Sequence, residues 1–399
     1  MNLLLIIDDY LPKSTRVSAK MMHELAVELR KNGNNVIVLT PGDKLQAEPL
    51  IKEVIDGIDV WLFRSGPVKD VSRIRRLINE SMLSYNAWKA IRTELGSQKI
   101  DGVVYYSPSI FFGDLVLKLK QYYGCSAYLI LRDIFPQWAI DEKIIGEHSL
   151  VTYYLRYFER KSYCAADKIG LMSEKNIEVF QNLHPSIQNI EVLHNWVAVD
   201  EQQNVQPYWR EKLELQNKVI LLYGGNIGKA QDMPNLLRLA RSLKDESRAH
   251  FVIVGQGESF QEVADYINKE ALINVTLMPS ISQNEFKVLL SEVDIGLFSL
   301  ASTHTAHNFP GKILGYIAND LPILGSVNPG NDLMSVINDH NAGSVFENGD
   351  DAALLKAAKE LIQSDELRRQ CGYNARALLD SHFSVCSAAT KIVLALESE

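Results

Sequence analysis

Cysteine is scarce and unpatterned in this chain. Cys125, Cys164, Cys371 and Cys386 form no Cys-x-x-Cys pair and no His/Cys cluster of metal-ligand spacing. That excludes a disulfide framework and a structural zinc site, and fits a reducing cytoplasm. A basic excess is also missing. Net charge is −8; residues 1–200 hold 24 Lys+Arg against 24 Asp+Glu, so the whole deficit falls in residues 201–399. A nucleic-acid binder needs a dominant positive field, so that class is excluded. No apolar run approaches the roughly eighteen residues of a membrane span. The stretch Met1 to Asp9 has no basic leader and turns acidic after Ile7, which reads as a first strand and not a secretory signal. No Ser/His/Asp set and no Asp-x-Asp pair is present, so neither a metal nor a resident cofactor is expected.

What the chain does have is alternation. Its 399 residues exceed one ordinary core, so two domains are expected. Leu3 to Ile7 is wholly apolar, as a strand buried on both faces of a parallel sheet must be. A helix over about Ala19 to Lys31, closed by Asn32-Gly33, and the strand Val36 to Leu39 complete a first βαβ unit. Strands at Val60 to Phe63, Gly102 to Tyr106, Ala127 to Leu131 and Lys168 to Met172 continue the series, with helices over Arg73 to Leu95 and His148 to Ala165. A polar stretch, Asp200 to Pro207, separates it from a second alternating series that begins at Val219. Ser282 and Glu285 have capping-box spacing, and the region from Ala352 onward reads as helical. The expected organisation is a doubly wound α/β domain over 1–200, a second over 208–380, and a last helix over 381–399 returning toward the first. A ligand would then lie in the cleft between the two carboxyl edges.

Within the second series, Val293 to Leu300 reads as a strand, Ile313, Leu314, Ile317 and Ala318 recur at helical spacing, and Leu321 to Leu324 opens another strand. Pro310 sits where a first-turn proline costs no hydrogen bond. Phe309, Pro310, Gly311 and Lys312 would thus deliver free N–H groups and a positive charge to the sheet edge, a receptor for phosphate, or else an ordinary helix start with a solvated lysine. The turn Gly224 to Lys229, with Gly225, Asn226 and Lys229, offers close backbone approach and charge, and Gly255-Gln256-Gly257 is a second glycine turn. Neither has the Gly-x-Gly-x-x-Gly spacing of a dinucleotide site.

In the first series, Arg132 and Asp133 end a strand where a cleft would lie. They are candidate catalytic residues, Arg132 to neutralise an anion and Asp133 to orient an acceptor hydroxyl or a neighbouring base, or else a structural ion pair. Lys13, Ser14, Thr15 and Arg16 follow the first strand and would meet an anionic acceptor, or water. Arg73, Arg75, Arg76, Lys89 and Arg92 share a helical segment with Tyr85 and Trp88, while Tyr153, Tyr154, Tyr157 and Phe158 share another with Arg156, Arg160 and Lys161. These read as a basic aromatic face for a membrane surface, or a solvated face over an aromatic core.

The order of Gly225-Asn226, the strand Asp294 to Ser299, and Phe309-Pro310-x-Lys312-x-x-x-Tyr316 before Leu321-Pro322-Ile323 resembles the retaining GT-B glycosyltransferases of family 4, and Val192 to Val197 resembles the end of their N-terminal domain. Ile6 to Pro12, Tyr105 to Phe111, Arg132 to Trp138 and His307 to Lys312 are similar to the O-antigen N-acetyl-L-fucosaminyltransferases. The resemblance implies two Rossmann-like domains and retaining transfer of an N-acetylated deoxyamino sugar from a UDP-sugar to a polyprenyl-diphosphate-linked sugar. The work would be done peripherally on the cytoplasmic face of the inner membrane, without a metal.

Three departures stand out. His307 and Gly315 occupy the places of the family's two glutamates, Arg132 replaces a frequent histidine, and Asn226 and Gln231 replace a favoured arginine and lysine. The expected roles are therefore Lys312 and Lys229 on the diphosphate, His307 on the donor sugar, and Arg132 with Asp133 near the acceptor. Gly225, Asn226, Gly255, Gly257, Asn308, Phe309, Pro310, Gly311 and Gly315 would line the donor, and Lys13, Ser14, Thr15 and Arg16 the acceptor. A sugar-nucleotide binder without activity and a UDP-sugar epimerase of the same architecture are the alternatives.

Overall fold

A computed structural model describes residues 1–14, 16–69, 71–107, 109–198, 207–303 and 309–398. It divides into two units. Unit 1 comprises Met1–Trp196 with Val385–Glu399, and unit 2 comprises Val197–Ser384.

Unit 1 is built on β1 (Asn2–Ile6), β2 (Asn35–Pro41), β3 (Leu50–Ile55), β4 (Ile58–Phe63), β5 (Gly102–Ser107), β6 (Ser126–Leu131), β7 (Lys168–Leu171) and β8 (Ile190–Val192). They lie in the order β3-β4-β2-β1-β5-β6-β7-β8. All neighbours pair in parallel except β3 and β4. Strands buried on both faces need apolar residues at successive positions, and Leu3 to Ile7 are all buried. The final helix, Val385–Glu397, packs on the helix Val17–Lys31 and on β6. A Cβ at Gly102 would meet Leu396 Cδ1 at 2.9 Å, and Lys391 donates to the Val192 carbonyl at 2.7 Å.

Unit 2 holds β9 (Val219–Asn226), β10 (Ala249–Gln256), β11 (Val275–Met278), β12 (Ile295–Ser299), β13 (Ile323–Val327) and β14 (Gly343–Glu347). Their order is β11-β10-β9-β12-β13-β14, parallel throughout. Apolar clusters cover both faces of this sheet. The helix Gln283–Leu290 starts with the expected capping box, and Pro234 lies in the first turn of the helix Met233–Ser242.

The two doubly wound sheets match the fold class expected from the alternation. The helices Gly113–Tyr123, Glu174–Leu183, Phe260–Lys269 and Leu333–Asp339 add to those expected, and three further local differences stand out. The antiparallel hairpin β3–β4 was not foreseen. Its turn, Asp56-Gly57, has φ of 47° and 80°, the doubly positive pattern of a two-residue hairpin loop. The expected helix Arg73 to Leu95 is two, Arg73–Ser81 and Leu83–Ile91, sharing Met82. The third difference is β14, five residues long and without a continuous apolar run.

Candidate functional site

In unit 2 the order of strands reverses beside β9, with β10 on one side and β12 on the other. The carboxyl end at such a reversal is where a doubly wound sheet opens a crevice. The sequence marks this place with glycine. Gly225 has φ of +122°, and a Cβ there would lie 3.6 Å from Lys312 Cε and 3.8 Å from Nζ, so the turn and the lysine are neighbours.

Lys312 lies in the first turn of the helix Gly311–Ala318, with Pro310 extended as its N-cap. Its ammonium rests 3.6 Å above the Tyr223 ring, a cation–π contact. The Tyr223 hydroxyl donates to the Asn226 carbonyl, which fixes the ring as a platform. Among the described residues Lys312 has no carboxylate partner. Burial alone pulls its pKa down to about 7. An amine held without a counter-ion beside a helix start is set to receive an anion, and the anion would restore its proton.

Tyr316, one helical turn further on, fixes the relation of helix to turn. β9 and β12 pair only at Leu221 with Ile295 and Leu222 with Gly296, then separate. The buried Tyr316 hydroxyl fills the gap, accepting from the Gly224 N–H and donating to the Leu297 carbonyl, both at 3.0 Å. Gly296 is glycine because the Tyr316 ring occupies the space of a Cβ, 2.4 Å away. Tyr223 and Tyr316 were not among the residues read as a site. Their positions, before the glycine turn and four residues after Lys312, were the available signal.

The other donor candidates take varied roles. Gly255 and Gly257 are needed by the strands themselves, since a Cβ would fall 1.8 Å from the Gly225 carbonyl oxygen and 2.3 Å from that of Ile227. Asn226 is exposed and donates to Gln231 Oε1 at 3.0 Å. Lys229 is exposed, and its N–H donates to Glu258 Oε1 at 3.3 Å. Phe309 is half-buried with its ring centroid 5.9 Å from that of Phe383. Among the described residues a Cβ at Gly311 would meet nothing within 4 Å, and one at Gly315 only Leu290 Cδ1, at 3.8 Å. His307 and Asn308 lie outside the described residues.

A polar buttress that sequence reasoning missed sits behind the turn. Asp232, at φ of 40°, accepts from Asn348 Nδ2 at 2.8 Å, and the same amide donates to the Leu300 carbonyl at 2.7 Å. Ala301 N–H donates to the Ala230 carbonyl at 2.9 Å, stitching the glycine turn to the chain leaving β12.

The carboxyl edge of unit 1 is arranged differently. Arg132 is buried, and its guanidinium donates to the carbonyls of Leu131 at 3.3 Å, Gly170 at 3.4 Å and His194 at 3.3 Å, 5.5 Å over the Trp196 ring. It closes the ends of β6 and β7 against the segment after β8. Burial lowers its pKa to about 10. Asp133 is exposed, yet desolvation raises its carboxyl above the ordinary range against the pull of Arg132. Tyr106 is pushed up to about 12 by burial, with Arg132 opposing and Asp133 and Asp8 adding. In the loop expected to meet an acceptor, Ser14 donates to Asp9 at 2.6 Å and Arg16 Nε stands 3.3 Å from the same carboxylate. Lys13 is exposed, and Thr15 lies outside the described residues.

Comparison with known proteins shows what the chain is similar to. Residues 205–378 match the model of the glycosyl transferases group 1. Over 385 residues, 95% of this chain and 94% of the relative, the chain is 19% identical to "Probable glycosyltransferase WbjE" of Pseudomonas aeruginosa. Among solved structures it resembles WaaG, a glycosyltransferase involved in lipopolysaccharide biosynthesis, at TM-score 0.64 and 16% identity with all of both chains covered. It also resembles Anabaena Alr3699/HepE in complex with UDP and glucose, at TM-score 0.67 and 13% identity, again over all of both chains. The likeness to the solved structures is one of fold, the two-domain GT-B architecture.

Proposed function

We propose, from a chain whose residues 205–378 match the model of the group 1 glycosyl transferases, that this protein is a glycosyltransferase that builds a surface polysaccharide, moving an N-acetylated deoxyamino sugar from a UDP-sugar to a polyprenyl-diphosphate-linked sugar. The transfer retains configuration, and the protein works peripherally at the cytoplasmic face of the inner membrane. The observation that carries this reading is Lys312, a cation with no carboxylate partner among the described residues, beside the glycine turn and a helix start.

When the glycosidic bond of a UDP-sugar breaks, negative charge grows on the departing diphosphate. Lys312 and the N–H groups near Gly225 and Gly311 meet that growing charge; a preorganised donor in a dry site is worth about 3–4 kcal/mol. Lys229, being exposed, adds a weaker pull. Protein cations and N–H dipoles thus take the part that a metal plays elsewhere, so transfer is insensitive to chelators. Support for a UDP donor comes also from HepE, whose structure holds UDP and glucose.

Incubating the protein with UDP-sugars and a polyprenyl-diphosphate-linked acceptor, with and without chelator, tests this. A glycosylated lipid with the donor's anomeric configuration is expected. Inversion, or dependence on a divalent cation, would overturn the mechanism. A second reading has one observation behind it: Gly315 stands where the family carries a glutamate, and among the described residues a Cβ there would meet only Leu290. Tight UDP binding with no product from any donor and acceptor would favour a non-catalytic sugar-nucleotide binder.

A further inference from the structure

We propose that unit 1 docks on an anionic lipid bilayer through the outer faces of the helices Arg73–Ser81, Leu83–Ile91 and Leu150–Ala165. The inference deepens the reading of a lipid-linked acceptor and rests on it for its purpose, while the surface itself is argued from the residues alone.

Ile74, Ile78, Met82 and Tyr85 fall at spacings of four, four and three, one stripe of a helical surface, and Met82 itself has helical dihedrals, so the stripe passes through the break. Such a stripe ordinarily faces a core. Here Leu83, Ala87, Ala90 and Ile91 are the core side, and the stripe faces outward, with Ile74 76% and Ile78 61% exposed.

The third helix lies alongside, because the Tyr154 hydroxyl donates to Ser81 Oγ at 2.8 Å. Its exposed Tyr154 and Tyr157 meet Phe158 edge-on at 5.0 and 5.3 Å, and Phe158 rests on Phe111 at 4.9 Å. The rings are thus held from beneath.

Charge selects the partner. Residues 73–92 carry five cations against one acid, Glu80, in a chain of net charge −8. Glu80 is buried against Arg76 at 2.8 Å. Arg73, Arg75, Lys89, Arg92 and Arg160 are exposed and, among the described residues, have no carboxylate partner. Aliphatic side chains suit the acyl boundary, tyrosines the headgroup layer, and long cationic side chains reach anionic headgroups from beside both. A second copy of this chain would bring the same cations face to face. An anionic bilayer meets every part of the surface.

Flotation of the full chain with vesicles of phosphatidylcholine, alone or with about one third phosphatidylglycerol, tests this. Binding should be roughly tenfold or more stronger to the anionic vesicles and weaken with salt. The triple variant Arg73→Gln, Arg75→Gln, Arg92→Gln should lose that preference. Ile78→Glu with Tyr85→Glu should abolish binding, with thermal midpoint and UDP affinity unchanged in both. Equal binding to neutral and anionic vesicles, or variants that bind as the parent does, would overturn the proposal. So would a concentration-dependent dimer dispersed by Ile78→Glu. Transfer to an acceptor dissolved in detergent is read in parallel: variants that leave vesicles but still transfer uphold the face, and vesicle binding without any transfer sinks the functional reading alone.

Discussion

Arg132 and Lys312 each stand at the carboxyl edge of a parallel sheet, and the sequence offers both as cations awaiting an anion. Their surroundings part them. Arg132 is met by three backbone carbonyls and the Trp196 ring, whereas Lys312 meets one aromatic face and no carboxylate among the described residues. A guanidinium with five donors can close the ends of several strands at once; an ammonium on a flexible stem, placed over a ring, keeps its donors for something else. Charge at a sheet edge therefore says little until its acceptors are counted.

The sharpest way to break this comparison is to exchange the consequences. Lys312→Ala should lower kcat/KM for sugar transfer by a factor on the order of a hundred or more and leave the unfolding midpoint near its parent value. A near-normal rate would remove Lys312 from the chemistry. Arg132→Met should do the reverse. It leaves buried carbonyls unpaired and costs about 2–4 kcal/mol of stability, seen as a lower urea midpoint, while calorimetry finds UDP affinity unchanged. Loss of UDP binding without loss of stability would mean that Arg132 serves the ligand after all.

Tyr316→Phe probes the frame around Lys312. It strands the Gly224 N–H and the Leu297 carbonyl, so about 1–3 kcal/mol of stability should go. If the hydroxyl also sets the turn, UDP affinity should fall more than UMP affinity, which isothermal titration can resolve.

The smallest effect is in pH. Only the protonated Lys312 attracts a diphosphate, so UDP affinity should decline by about tenfold per unit above pH 7. Ligand-free stability should move the other way. Between about 7 and the ordinary 10.5 the unfolded chain holds a proton that the folded chain has shed, so unfolding becomes harder as pH rises through that window. Parallel slopes for binding and stability would mean that another group is titrating.

Much of the fold was legible because parallel strands buried on both faces must be apolar throughout, as Leu3 to Ile7 and Val219 to Tyr223 are. The helix start at Gly311 was legible from Pro310 and the recurrence of Ile313 and Ile317. What escaped had weaker local signals. Asp56-Gly57 announces a hairpin, but β3 alternates poorly and lies at a sheet edge. Contacts between distant segments left no trace at all. Nothing in Arg132-Asp133 reveals that the carbonyls of Gly170 and His194 will converge on the guanidinium, and nothing in Asn348 foretells its grip on Asp232. Types of residue are local facts, whereas their availability depends on tertiary neighbours.

The last helix has a consequence for biogenesis. Unit 2 is one continuous stretch, Val197–Ser384, but unit 1 needs Val385–Glu397 to cover the helix Val17–Lys31 and β6. A ribosome makes unit 1's sheet before unit 2 and the covering helix after it, so unit 1 waits for that helix while unit 2 can close before it. For as long as that wait lasts, an apolar patch beside Gly102 stands open to chaperones and proteases, and a premature stop near Ser384 would injure the distant half of the molecule and spare the half it borders.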